Sequence, residues 1–419
     1  MVAFPVGLRG PFPRYWLSGF LADFGDGVRL AAFPLLAAQL TGSPAAVAAV
    51  TAVQGLPWLV LGGGLGVVVD RLDRRRLMVS VDIARAAIIA ALAGAVLAHR
   101  AGLLLVYLAA FAAGVGSALR DTAAVTCVPR LVDAADLDKA NGRVIAGQIV
   151  GNELAGPAVG GWLFGLAAVL PFAVNSGALG IAVLLMLTLP GVFAPRSQRP
   201  RPARFRHELN EGLRWMWRHS AIRDITIIAG VTSAMDAAWF AVLVLYVVRV
   251  LHQQPGVYGL LLAAGALGGI AASSAGAAVS RRLGLWRSLL AAGLTMAATQ
   301  AGLGLSSNVI VAAALLFASS AAFALANLAA VTVRQREVPD ALLGRVTSWY
   351  LTVTRGAEAV GAIAGGALAA VAGIRAPMLL GAIPIAVVTI LICWRHRTRA
   401  PAPAPPPARP ACQLRSRSR

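Results

Sequence analysis

Runs of about twenty residues with few or no charges recur along the whole of this chain, each ended by a cluster of arginines or by a Gly or Pro break. That is the length an α-helix needs to cross the hydrocarbon core of a bilayer. Inside lipid every backbone N–H and C=O must find its partner within the protein, so only helices or closed barrels are viable, and the short alternation of barrel strands is missing here. The chain therefore reads as a helical bundle in a membrane. Composition agrees: of 419 residues, 58% are hydrophobic and 13% charged, with a mean hydropathy of +0.75, too apolar for two or three water-soluble domains.

Reading between charge clusters and breaks places spans near 16–38, 45–69, 77–98, 103–123, 141–163, 171–189, 222–248, 257–280, 285–306, 309–333, 344–371 and 375–394, twelve in all. The formal net charge of +20 raises the alternative of a nucleic-acid binder. Its distribution argues otherwise. With the N-terminus inside, the basic residues crowd into cytoplasmic segments, including Arg71 to Arg76, Arg196 to Arg223 and the tail from Arg395, while the outer loops hold Arg100, Arg249 and Arg375 and no acid. This is the asymmetry that translocation imposes, so both termini are expected in the cytoplasm and no acidic partner or nucleic acid is needed to explain the charge. The first apolar run has no small-residue cleavage site behind it and is expected to remain as the first helix. Cys127, Cys393 and Cys412 have neither paired spacing nor histidine neighbours, so no disulfide framework, metal site or cofactor is implied.

The longest polar stretch divides the chain near its middle, which suggests four parts: a six-helix bundle at 1–190, a linker at 191–220, a second six-helix bundle at 221–394, and an Arg/Pro-rich disordered cytoplasmic tail at 395–419. Within the linker, Leu209, Leu213, Met216 and Trp217 recur at helical spacing among basic residues, as in a helix lying on the membrane surface. The two bundles also match each other in sequence. Gly66, Asp70 and Arg71 line up with Gly276, Ser280 and Arg281 at one constant offset, which also pairs Asp26 with Asp236. At a slightly shorter offset Gly151, Glu153, Gly156, Gly160 and Gly161 match Gly356, Glu358, Gly361, Gly365 and Gly366. Internal repeats of this kind build transporters whose halves rock about a site at the membrane midplane.

An ionisable side chain inside the bilayer is costly and marks a transport pathway more often than a structural joint. Counting 1.5 Å per residue from the span ends puts Asp26, Glu153, Asp236 and Glu358 near midplane, with Arg29 and Arg355 at similar depth; these four acids are the proton-coupling candidates and the two arginines their charge partners. The competing role is a permanent ion pair, for which Arg355 and Glu358, one turn apart, are the best placed. Asp23, Asp82 and Arg85 fall nearer the span ends and are expected to pair with the basic loop. Gln54, Trp58, Gln148, Trp239, Tyr246 and Asn327 are candidates for the substrate cavity, with Asn175 and Gln300 beside them; bonding between helices is the alternative for each. No nucleotide fingerprint, metal triad or nucleophile elbow is present, so the chain is not expected to be an enzyme.

Several stretches carry a resemblance to a known family: Leu40-Thr-Gly-Ser-Pro44, Val69-Asp-Arg-Leu-Asp-Arg-Arg-Arg76, Leu209-Asn-Glu-Gly-Leu-Arg-Trp215 and Val338-Pro-Asp-Ala-Leu-Leu-Gly-Arg345. To about residue 394 the chain resembles the major facilitator superfamily, in its drug-exporter branch of macrolide and enterobactin exporters. The resemblance implies an all-α membrane fold of twelve transmembrane helices in two pseudo-symmetric six-helix bundles. It also implies a cytoplasmic gate motif at Gly66, Asp70, Arg71, Arg74 and Arg75, with Asp73 where the family usually has a second glycine. It further implies an antiporter motif at Gly156, Pro157, Gly160 and Gly161, with Asn152 in place of an upstream glycine. The function so implied is proton-coupled efflux of a hydrophobic or amphipathic small molecule by a monomer in the inner membrane. A facilitative or uptake carrier and a non-transporting regulatory relative are the alternatives.

Overall fold

The computed structural model describes the backbone of residues 10–125, 127, 128, 131–133, 136–189 and 211–397, and their side chains apart from 58–71, 125, 138, 273–281, 340, 341, 344 and 397. Residues 1–9, most of the linker, Cys412 and the tail from 398 lie outside this description, as do the side chains of Trp58, Gly66, Asp70 and Arg71.

Helices follow one another with short connections: α1 Phe12–Leu40, α2 Pro44–Arg71, α3 Arg74–Leu97, α4 Leu103–Val125, α5 Leu137–Gln148, α6 Gly156–Leu166, α7 Leu170–Leu187, α8 Ser220–Phe240, α9 Pro255–Leu283, α10 Leu285–Leu305, α11 Val309–Glu337, α12 Asp340–Ala372 and α13 Ala376–Arg397. Two π-helical stretches, Ile149–Ala155 and Tyr246–Val250, join α5 to α6 and extend the rod begun by α8. Residues 211–218 of the linker are helical as well. Each of the twelve expected intervals falls on a helical rod to within a residue or two. Among the described residues, eight stretches are long and apolar enough to cross a membrane. The chain is an all-α, multi-pass membrane protein. Helix α1 is long enough too, but holds Asp23, Asp26 and Arg29 in its middle.

Local chemistry explains the breaks. Asp73 accepts a 2.9 Å hydrogen bond from the Arg76 backbone N–H and caps α3, which accounts for an acid at the place of the family's glycine. Asn308 caps α11 in the same way through two N–H groups. Gly284 and Gly373 supply the positive φ of the turns before α10 and α13. Pro157 has no N–H to give the Glu153 carbonyl one turn back, and the Gly156 N–H bonds instead to Gly151, five residues earlier, which leaves the π turn in front of α6.

Packing repeats between the two halves of the chain. In the first, α1 lies on α6 and α7, α2 on α4, and α3 on α4 and α7; in the second, α8 lies on α12 and α13, α9 on α11, and α10 on α11 and α13. The joints between the halves exchange partners symmetrically, α2 with α12 and α9 with α6. One end of the bundle carries the turn between α2 and α3. At the other end Arg249 donates to the Gly42 carbonyl across the halves at 3.1 Å.

Candidate functional site

Two polar centres sit within the apolar bundle. The first joins α1, α3 and α4. Asp26 receives a charge-assisted hydrogen bond from Arg85 and is also paired with Arg29 at 3.3 Å, while its second oxygen accepts from Ser117 at 3.1 Å. Arg85 reaches on to Asp82 at 3.2 Å, and Asp82 in turn is bonded to Arg120, which donates to the Ser18 carbonyl. Arg29 closes the network on Gln54 at 2.9 Å and lies over the Phe33 ring. Arg85 and Asp82 are 2% and 1% exposed, so the pairing has replaced their water entirely. Charges so deep persist only when paired and hydrogen-bonded.

The expectation that Asp82 and Arg85 serve the basic loop is therefore corrected. An i, i+3 pair on α3 turns inward, and its neighbour across the bundle is Asp26, not the loop. Arg120 and Ser117 were not anticipated at all. The available signal was an arginine inside the apolar run of α4, whose charge requires a buried acid somewhere nearby.

The second centre is a cavity of about 610 Å³ between the halves, within the roughly 300–1,000 Å³ usual for small-molecule sites. Carboxylates enter it from both halves: Glu153 from the π stretch, Asp236 from α8 and Glu358 from α12. Arg355 lies 3.0 Å from Glu358, and the lining includes Asn327 with the aromatic rings of Phe240, Phe323 and Tyr350. Asp236 accepts a 3.1 Å hydrogen bond from the Trp239 indole, and both border a smaller side pocket of about 110 Å³. The structure thus brings Glu153, Asp236, Glu358, Arg355 and Asn327 together, with Trp239 just behind. Asp26 and Arg29 belong to the other centre.

Three cavity candidates stand elsewhere. Gln54 is engaged by Arg29. Tyr246 is wholly buried in the apolar core, its hydroxyl donating to the Ser306 carbonyl at 3.0 Å. Gln148 is exposed and apart from the cavity lining. Of the pair beside them, Gln300 ties α10 to the Pro377 carbonyl at 3.2 Å, and Asn175 is buried against Gly25. Gln54, Tyr246 and Gln300 have thus each found a partner within the bundle, away from the cavity. Of the gate motif, Arg75 donates to the Met186 and Leu187 carbonyls and so satisfies the open end of α7, while Arg74 is buried.

The glycines of α6 act as contact surfaces. A Cβ on Gly156 would stand 2.7 Å from the Gly27 Cα, and one on Gly160 would meet the Val28 backbone, so this face is flush against α1. Gly161 faces the other half, where a Cβ would lie 2.9 Å from the Gly259 nitrogen. Their repeats behave alike: Gly361 and Gly365 lie against Ala234 and Ala238 of α8, and Gly366 against Ala45 and Ala48 of α2. Small residues let backbones approach this closely.

Comparison with known proteins gives one consistent picture. A family profile described as "Transmembrane secretion effector" matches residues 8–404. The chain is 27% identical to the multidrug efflux pump Tap of Mycolicibacterium fortuitum over 410 residues, covering 93% of this chain and 97% of the relative. It is 28% identical over 396 residues to the protein of that name in Mycobacterium tuberculosis, covering 90% and 91%. Among solved structures, a bacterial homologue of the iron transporter ferroportin in an inward-facing state superposes with a TM-score of 0.73 at 17% identity, covering 91% of this chain and 98% of that one. The nucleoside transporter NupG superposes with a TM-score of 0.71 at 13% identity, covering 93% and 100%. At these identities the structural likeness establishes the fold.

Proposed function

Since the chain belongs to the transmembrane secretion effector family of major facilitator transporters, we propose that it exports hydrophobic or amphipathic small molecules, in exchange for protons, by alternating access. The observation that carries the proposal is the cavity of about 610 Å³ between the halves, faced by carboxylates from both and by aromatic rings. A carboxyl in such a place can hold a proton in one state and release it when the other state hydrates it, which is the exchange a coupled transporter needs. Asp236 is the best-placed carrier, because its one hydrogen-bond partner among the described residues is the neutral Trp239 indole. Asp26 is held by two arginines and serves the scaffold of the first half.

Residues 1–190 and 221–394 form the two rocking bundles, with twelve crossings in all, both termini in the cytoplasm of a cell whose inner membrane holds the protein as a monomer. The repeated packing pattern and the exchanged joints support this reading. The efflux activity of the Tap relatives supports the direction.

The test uses inside-out vesicles holding wild type, Asp26→Asn or Asp236→Asn protein, with a lipophilic fluorescent compound followed into the lumen before and after the proton gradient is collapsed. Gradient-driven uptake lost in Asp236→Asn is expected. Asp26→Asn is expected to lose folded protein as well. Wild-type uptake that ignores the gradient would remove protons from the mechanism and leave a facilitative carrier.

A further inference from the structure

The side pocket of about 110 Å³ opens beside Asp236 between α8, α9 and α11 and shares Asp236, Phe240 and Phe323 with the main cavity. It is too small for a whole drug-sized molecule. Its polar groups keep acceptor capacity that no neighbour fills among the described residues. The Asp236 Oδ1 holds the Trp239 indole, but its Oδ2 has no protein donor among the described residues. Ser319 and Ser320 of α11 line the same space, and among the described residues neither hydroxyl has a hydrogen-bond partner, although a serine within a helix commonly turns back to the carbonyl one turn earlier. Gly265 lines the wall opposite; a Cβ there would come within 3.0 Å of the Ser320 Oγ, so the missing side chain keeps that hydroxyl accessible. Among the described residues no cationic side chain lines the pocket.

From this arrangement we propose that the pocket is a head-group subsite for a protonated amine, so that the preferred cargo is an amphipathic molecule carrying one primary ammonium on an apolar body. Three N–H donors on one small centre match the Asp236 carboxylate and the two serine hydroxyls, and a positive charge supplies what an acid removed from water lacks. The rings of Trp239, Phe240 and Phe323 border the same space and favour a cation over a neutral group. The apolar body then extends into the main cavity against Leu30 and Tyr350. A neutral analogue of equal shape leaves the carboxylate and both hydroxyls unpaired, and rejection of such analogues is strong where a site is built of buried polar groups.

The inference rests on the reading of the chain as a transporter, and the experiment separates the two. Binding is measured on full-length protein in detergent by fluorescence anisotropy, with dansylcadaverine, which has a free primary amine, and with its N-acetylated neutral counterpart. Wild type is expected to hold the amine at least tenfold more tightly. Asp236→Asn should lower amine affinity at least tenfold, and the Ser319→Ala/Ser320→Ala double variant by about three- to tenfold, with the acetylated probe unchanged in both. Equal wild-type affinity for the two probes overturns the subsite, whatever the variants do. Transport of the same amine is then followed in inside-out vesicles. Transport without amine preference leaves the exporter standing and removes the subsite, whereas amine-selective binding with no transport keeps the subsite and removes the exporter.

Discussion

A methyl group added at Gly160 and one added at Gly161 should have different consequences, although the two residues are neighbours on one helix. On Gly161 the Cβ would stand 2.9 and 3.0 Å from the backbone of Gly259 and 3.2 Å from the Pro255 carbonyl oxygen. Ordinary carbon contacts need about 3.5–4.0 Å, so α6 and α9 must part by roughly half an ångström to one ångström, because backbone cannot rotate aside. Overpacking of this kind costs about 1–3 kcal/mol. The contact joins the two halves, so the cost falls only on the state in which they touch at the end of the bundle where Arg249 meets Gly42. An energy of that size shifts a two-state equilibrium by about 5–150-fold.

Gly160, in contrast, faces Val28 of α1 within the same half. Its methyl burdens every folded state alike and should appear as lost stability. The assay places a cysteine at Ala48, which is wholly buried where α2 meets α12, in a background without Cys127, Cys393 and Cys412. Its rate of reaction with an impermeant thiol reagent reports opening, and the thermal midpoint in detergent reports folding. Gly161→Ala should raise the labelling rate within the stated range and spare the midpoint, and Gly160→Ala should do the reverse. Equal loss of midpoint in both variants, with no change in labelling, would refute a joint that opens.

Arg85→Met removes the cation shared by Asp26 and Asp82, leaving Arg29 and Arg120 to hold them singly, and should cost about 3–5 kcal/mol; a midpoint within a degree or two of wild type would show that those two arginines or water suffice. Tyr246→Phe should lose about 1 kcal/mol from the bond to Ser306 and leave substrate affinity untouched, since this residue stands away from the cavity; a change in affinity would relocate it. Removing Arg249, an exposed side chain, should raise Ala48→Cys labelling by no more than about tenfold, and a larger rise would make that single contact the main closure of its end.

The amino-acid order alone determined the solvent in which this chain folds, because helix-length apolar runs have one stable arrangement in lipid. It also revealed the repeat, since Gly160 with Gly365 and Gly161 with Gly366 do the same work in their two halves and have kept the same residue type. Depth could be counted too: it grouped Asp26, Glu153, Asp236 and Glu358, of which the last three stand around one cavity. Rotation about the helix axis could not be counted. A midplane position says nothing of which neighbour a side chain meets, and a helix apolar on every face has no hydrophobic stripe to reveal it. Asp26 and Asp236 occupy equivalent places in the repeat, yet one is enclosed by Arg29, Arg85 and Ser117 while the other meets an indole and an open pocket. Only the tertiary structure brought Arg85 of α3 and Ser117 of α4 to the first acid and set the second beside a pocket lined from α8, α9 and α11.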